Sequence, residues 1–204
     1  MAILSLPASG MSSSTEIVVA RYRDVVEISR NMRPADADEI LPLIWGHTPE
    51  NLAALVLAGG ELIFVARHGS TPVAAFGAVE IKPSNWQVWA FATPQWPKVV
   101  LAVSKYLRRR IMPIVEGRGG NRAECWSLST HTDAHRWIEM MGGEREATVS
   151  DYGPHRKTYH LYAWTRTRME EKKDVYFRRC QGGARAAHTD AGGAAIRADS
   201  VAIE

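Results

Sequence analysis

The chain has 204 residues, 46% hydrophobic and 23% charged, a composition that suits one folded domain with length to spare. No apolar run approaches the roughly 18 residues that a helical bilayer span needs, because Gly59-Gly60, Pro72 and Arg108 break the longest stretches. The formal charge of +3 arises from 25 basic against 22 acidic side chains, a balance too even to name a partner by itself.

Composition separates three zones: an arm over residues 1–24, a folded domain over 25–165 and a tail over 166–204. The opening MAILSLPASGMSSST lacks the charged and continuous apolar regions of a secretory signal, so it reads as a mature N-terminal arm. A first strand is expected at DVVEIS, residues 24–29. In RPADADEILPLIWG, Asp36 and Glu39 have the N-cap and N3 spacing of a capping box and announce a short helix. Thr48 followed by Pro49 announces a second, which Gly59-Gly60 stops. ELIFVARH, PVAAFGAVEIK and NWQVWAFAT follow as three strands, joined by turns at Gly69 and at Pro83-Ser84-Asn85.

From Lys98 to Ile111 apolar residues recur at helical spacing with Lys105, Arg108 and Arg109 opposite, and Pro113 interrupts the pattern. AECWSLS reads as a buried strand, DAHRWIEMMGG as a helix capped by Asp133 and stopped by Gly142-Gly143, and EREATVSDYG with KTYHLYAWT as a closing hairpin. The order β-α-α-β-β-β-α-β-α-β-β belongs to the α+β class. The tail is rich in Ala and Gly, too poor in apolar side chains to offset its own ordering entropy. Val175, Tyr176, Phe177, Arg178, Arg179, Ile196 and Ile203 are the anchors through which it would bind partner proteins.

This element order resembles the GNAT superfamily of acyl-CoA N-acyltransferases over residues 25–165, with Ala134–Gly143 the most specific local match. The resemblance implies a mixed, mostly antiparallel sheet of six to seven strands flanked by about four helices, with extended terminal segments. It also implies a loop of the form Q/R-x-x-G-x-G/A after the fourth strand, whose amides hold the cofactor's pyrophosphate. Here that loop is Gln95, Trp96, Pro97, Lys98, Val99 and Val100: Gln95 matches, but Lys98 and Val100 replace the small residues. Pro94 and Pro97 carry no N–H to offer an anion. The family's general-acid Tyr falls at Ile138, with Tyr152 and Tyr159 as distant substitutes and Glu80 and Glu124 as the carboxylates on strands.

A GNAT-like layout without these devices is similar to the GNAT-like internal virion proteins of short-tailed, podovirus-type phages. GELIFVARHGSTPVAAFGAVE, HRWIEMMGG and YHLYAWTR carry that resemblance. It implies a pseudoenzyme without cofactor, a homo-oligomeric assembly protein bound to head-tail or internal virion proteins, found in the virion and in host cytoplasm during assembly. An N-acetyltransferase that uses acetyl-CoA through an atypical loop is the alternative.

Blander readings cover the remaining motifs. His131 and His135 bracket Asp133, but with Asp133 as a helix cap and no third ligand nearby, no metal site is expected. Lys105 to Arg110 could meet nucleic-acid phosphates, although the plainer reading is the solvated face of an amphipathic helix. Cys125 and Cys180 form no CxxC pair, which fits a reducing compartment. Of Trp86, Trp89, Trp96 and Trp126, most are expected in the core and one or two in the old cofactor cleft. Gly117-Arg118-Gly119-Gly120 follows a helix rather than opening one, so it is a turn.

Overall fold

Three hairpin-linked strands form the centre of the protein's structure, a computed structural model that describes residues 14–168. They are β2 (Leu62–His68), β3 (Thr71–Lys82) and β4 (Asn85–Ala92). Their turns lie at Gly69, with φ of 60°, and at Ser84, with φ of 63°. Ser84 is held in that left-handed conformation by donating its N–H to the Glu80 carboxylate at 2.8 Å. Along β3, Val73 to Ala78 are buried without alternation, as expected of a strand covered on both faces. Gly77 is required there, because a Cβ would stand 2.6 Å from the Leu62 carbonyl oxygen and 2.8 Å from the Trp89 ring.

β1 (Thr15–Val19) extends this meander at one edge, and β5 (Arg122–Leu128), β6 (Glu144–Tyr152) and β7 (Lys157–Thr165) extend it at the other. The seven strands run in the order β1-β2-β3-β4-β5-β7-β6. Only β4 and β5 are parallel, and they pair over just three positions, Asn85 to Gln87 against Arg122 to Glu124. Beyond Gln87 the two strands diverge.

Successive strand residues supply opposite cores, as the pleat demands. Val65, Ala75 and Phe91 pack with α1 (Tyr22–Arg30) and α3 (Pro49–Ala58) through Val25, Ile28, Leu52 and Ala53. Their neighbours Ala66, Ala74, Phe76 and Ala92 pack with Val99 and with Val103 of α4 (Val100–Tyr106). α4 continues through a π-helical turn, Leu107–Ile111, into α5 (Met112–Gly117), whose Val115 meets Trp86 with Ile111. The remaining helices are α2 (Pro34–Ile40) and α6 (Thr132–Met140).

Four local expectations are corrected. Residues 24–29 are not the first strand but most of α1; Val25, Val26, Ile28 and Ser29 are buried at helical spacing, and buried Asp24 accepts from Arg67 at 2.6 Å. A short apolar run rich in β-branched residues fits either period, and tertiary packing chose the helix. The first strand is instead TEIVV, within the residues assigned to the arm, where Ile17 and Val18 enter opposite cores. Asp36 and Glu39 form no capping box: α2 begins after Arg33 with Pro34 at its first position, which leaves both carboxylates inside the helix. Asp133 is not the cap of α6; that position belongs to His131, whose ring is buried, while Asp133 is exposed and faces Arg136 at 3.6 Å.

Other local signals agree with the structure. Thr48 accepts the Asn51 N–H at 3.1 Å ahead of α3. At the end of α6, Gly142 has a φ of 93° and donates to the Glu139 carbonyl, while Gly143 donates to that of Ile138. These two bonds are a Schellman closure.

Candidate functional site

The divergence of β4 from β5 exposes main-chain groups that the sheet itself cannot satisfy, and α2 is driven into that gap. Arg33 donates its backbone N–H to the Ala92 carbonyl at 2.8 Å. Three residues on, Asp36 accepts the Ala92 N–H at 2.7 Å. One helical turn later Glu39 accepts the Leu128 N–H of β5 at 2.8 Å and the Ser127 hydroxyl at 2.9 Å. A single face of α2 therefore closes β4 with one carboxylate and β5 with the other. β7 fixes the wedge from beneath, with the Tyr159 hydroxyl donating to the Glu39 carbonyl at 2.7 Å and Lys157 Nζ to that of Asp38 at 3.2 Å.

Two cations complete the cluster. Arg33 reaches Asp36 with two guanidinium nitrogens, at 2.7 and 3.1 Å, while its guanidinium lies 5.5 Å over the Trp96 ring. His131 sits between the acids, Nδ1 at 2.9 Å from Glu39 and Nε2 at 3.4 Å from Asp36. Burial pushes the Asp36 carboxyl above the usual 3.8, against the opposing pull of Arg33, the Ala92 amide and His131. Burial works against the His131 charge too, but the hydrogen bond and fields of Glu39 and Asp36 prevail and hold its pKa above the usual 6.5. Once His131 takes a proton, it and Arg33 balance Asp36 and Glu39, and the wedge is then buried without net charge.

The loop after β4 is equally committed to itself. Trp96 donates its N–H to the Thr93 carbonyl, Lys98 to that of Gln95 and Val99 to that of Trp96, at 2.9 to 3.0 Å. Gln95 donates to the Thr93 hydroxyl at 3.3 Å. With Pro94 and Pro97 lacking an N–H, every amide from Thr93 to Val99 is spent or missing. Val99 is buried, and Trp96 stands edge-on to Trp137 at 5.1 Å. The loop before Val100 therefore has no amide to spare for the pyrophosphate of acetyl-CoA, which it would hold in a GNAT enzyme. The N–H groups of Lys98 and Val99 are used by a 3₁₀ turn, and only the first turn of α4, from Val100 on, begins with amides that a helix leaves unpaired.

The other sequence candidates are not brought together. Glu80 serves the β3–β4 turn at Ser84, at the opposite end of β4 from the loop. Glu124 is held by Arg122 at 2.6 Å, and Arg122 also bridges to Glu146 at 2.6 Å. Tyr152 stacks on Trp126 at 4.8 Å. Ile138 is buried against Gly143. The Tyr159 hydroxyl is pushed up to about 12 by burial and by the charge of Glu39. Burial does the same to the Cys125 thiol, also about 12, which keeps it unreactive. Trp86 and Trp89 are in the cores, so the cleft is filled chiefly by carboxylates rather than by indoles. Val175, Tyr176, Phe177, Arg178, Arg179, Ile196 and Ile203 lie outside the described residues.

Sequence reasoning missed the wedge itself. The i, i+3 spacing of Asp36 and Glu39 was the available signal, since it puts two acids on one helix face, but it equally suits a helix start. Among the described residues no helix is long and apolar enough to cross a membrane, and no group of three or more His, Cys, Asp or Glu could hold a metal ion.

No protein-family model matches the sequence, and no curated protein is significantly similar to it. Solved structures do match. Ard1 from Thermoplasma volcanium superposes with a TM-score of 0.60 at 12% identity, over 74% of this chain and 97% of its own. An N-acetyltransferase from Staphylococcus aureus Mu50 gives 0.57 at 15% identity, over 75% and 99%. The protein yncA from Salmonella typhimurium, solved with its cofactor acetyl-CoA, gives 0.54 at 12% identity, over 74% and 93%. The fold is GNAT-like: a seven-stranded, mostly antiparallel sheet with helices on both faces.

Proposed function

We propose that this chain uses a GNAT-like fold as a non-catalytic binding module in a protein assembly, of the internal virion type that its sequence layout resembles. The observation that carries the reading is the wedge. Asp36 and Glu39 take the strand amides Ala92 and Leu128 in the β4–β5 gap, and the next loop takes its own amides. Fold alone does not carry function, and a site spent on internal bonds offers nothing to a thioester. A surface for protein contact is also at hand: Trp45 is 94% exposed, and α3 beside it presents Ala54 and Leu55 to solvent. A helix apolar on its outer side as well as its inner one suits a partner.

Calorimetric titration with acetyl-CoA tests the first half. No heat is expected at millimolar ligand, whereas a micromolar dissociation constant would restore the N-acetyltransferase reading. Co-assembly with purified phage head-tail and internal virion proteins, followed by light scattering, tests the second. Trp45→Ala should leave stability within about 0.5 kcal/mol, as surface substitutions do, while weakening co-assembly. A chain that joins none of these components would count against the virion role.

A further inference from the structure

Charge in this fold is segregated in a way that its net value hides. Eight arginines, among them Arg33, Arg67 and Arg122, pair with a carboxylate at 3.6 Å or less. Between Lys98 and Val115, by contrast, the chain carries five cations and no acid. All five, Lys98, Lys105, Arg108, Arg109 and Arg110, are exposed. Arg108 is spent on the Met140 carbonyl at the end of α6, at 2.6 Å, and Lys98 touches only the Gln95 amide oxygen, at 3.2 Å. Lys105, Arg109 and Arg110 make no ion pair among the described residues.

The backbone explains why three consecutive arginines face outward. Met112 donates its N–H to the Leu107 carbonyl, five residues back, which opens one π turn. Pro113, just beyond, has no N–H to give the carbonyl of Arg109. The widened turn returns Ile111 and Val115 to the core while Arg108, Arg109 and Arg110 all stay in solvent. π turns of this kind recur at functional sites.

From these observations we infer that the outer face of the helical stretch from Lys98 to Arg110 binds double-stranded nucleic acid through its phosphates. The twelve steps from Lys98 to Arg110 advance about 18 Å, alongside roughly five base pairs of duplex, so a rigid row of cations meets a rigid row of anions. Arginine, planar and weakly hydrated, suits phosphate better than it suits bare solvent. A lipid surface would ask for a row of apolar side chains to insert, and this face is flanked by Leu101 at one end and by Ile114 of α5 and Met140 of α6 at the other, with the cations between them. Nothing here reaches a base edge, so binding is independent of sequence.

The test uses the full chain and a labelled DNA duplex of about twenty base pairs, read by fluorescence anisotropy from about 50 to 200 mM salt. Four phosphate contacts, from Lys98, Lys105, Arg109 and Arg110, predict a log–log salt slope of about −3.6. The triple variant Lys105→Glu, Arg109→Glu, Arg110→Glu should bind at least about tenfold more weakly and lose about 3 from the slope. The control Arg23→Glu, Arg30→Glu, Arg156→Glu makes the same change in net charge at exposed sites elsewhere and should bind as the parent does. Circular dichroism confirms folding, and Arg109→Gln with Arg110→Gln serves if the reversal unfolds the chain. Equal loss in both triple variants, unchanged binding in the first, or no binding by the parent at low salt would each overturn the inference. So would binding to phosphatidylserine vesicles in place of the duplex.

Discussion

His131 is the residue on which the wedge depends, because it answers both buried acids at once. Removing it in His131→Ala leaves Arg33 as the one cation beside the two acids and should cost about 3 kcal/mol or more, the usual penalty for breaking a buried ion pair from one side. Its pKa is raised, so the folded state holds the proton more tightly than the unfolded one. The stability it contributes is therefore complete below the ordinary 6.5 and is lost as pH rises through the folded value. Asp36, also raised, works in the same direction lower on the scale, above 3.8. His135 and His160 have the opposite sign. Burial lowers both, so they withdraw stability as pH falls below 6.5. Urea denaturation of the parent and of His131→Gln from pH 5.5 to 9 separates these effects. The difference between the two proteins should be largest at the acid end and shrink with rising pH; a constant difference would mean that folding leaves the proton affinity of His131 unchanged, and one that grows with pH that His131 is neutral in the fold.

Elements differ in how far their own residues determine them. The close of α6 is local: Gly142 takes a positive φ, and at Gly143 a Cβ would lie 2.7 Å from Ile138 Cγ2 and 2.8 Å from the Trp164 ring. Gly143→Ala should thus destabilise by about 2 kcal/mol through overpacking, measurable as a lower urea midpoint at unchanged slope. Thr48→Ala removes the one side-chain cap of α3 and should cost about 1 kcal/mol. Such features were legible in the sequence, as were β2, β3 and β4, because each rests on residues within a few positions of one another. α1 was not, since Val25, Val26 and Ile28 satisfy both periods and only contact with α3 and β3 decides between them. The wedge was illegible for the same reason on a larger scale. Asp36 is 56 residues from Ala92 and Glu39 is 89 from Leu128, and no local pattern reports such pairings.

For the molecule as a whole, the question is whether the gap between β4 and β5 behaves as a cleft or as core. In an open gap the amides of Ala92 and Leu128 would meet water and exchange rapidly with deuterium. Here each is bonded to a carboxylate, and Asp36, Ser127 and His131 around them are nearly as inaccessible as the centre of β3. Reaching either amide means withdrawing α2, and with it Arg33, the Ala92 carbonyl bond and the Tyr159 bond, all in one step. Native-state hydrogen exchange should accordingly find Ala92 and Leu128 as protected as Ala75, opening only with global unfolding. Glu39→Ala leaves the Leu128 amide without a partner, and its exchange should accelerate by about a hundredfold relative to Ala75, the equivalent of one unsatisfied buried donor. Rapid exchange at both amides in the parent protein would mean that α2 leaves the gap under native conditions. The strands would then be open to a ligand, and the non-catalytic reading would lose its physical basis.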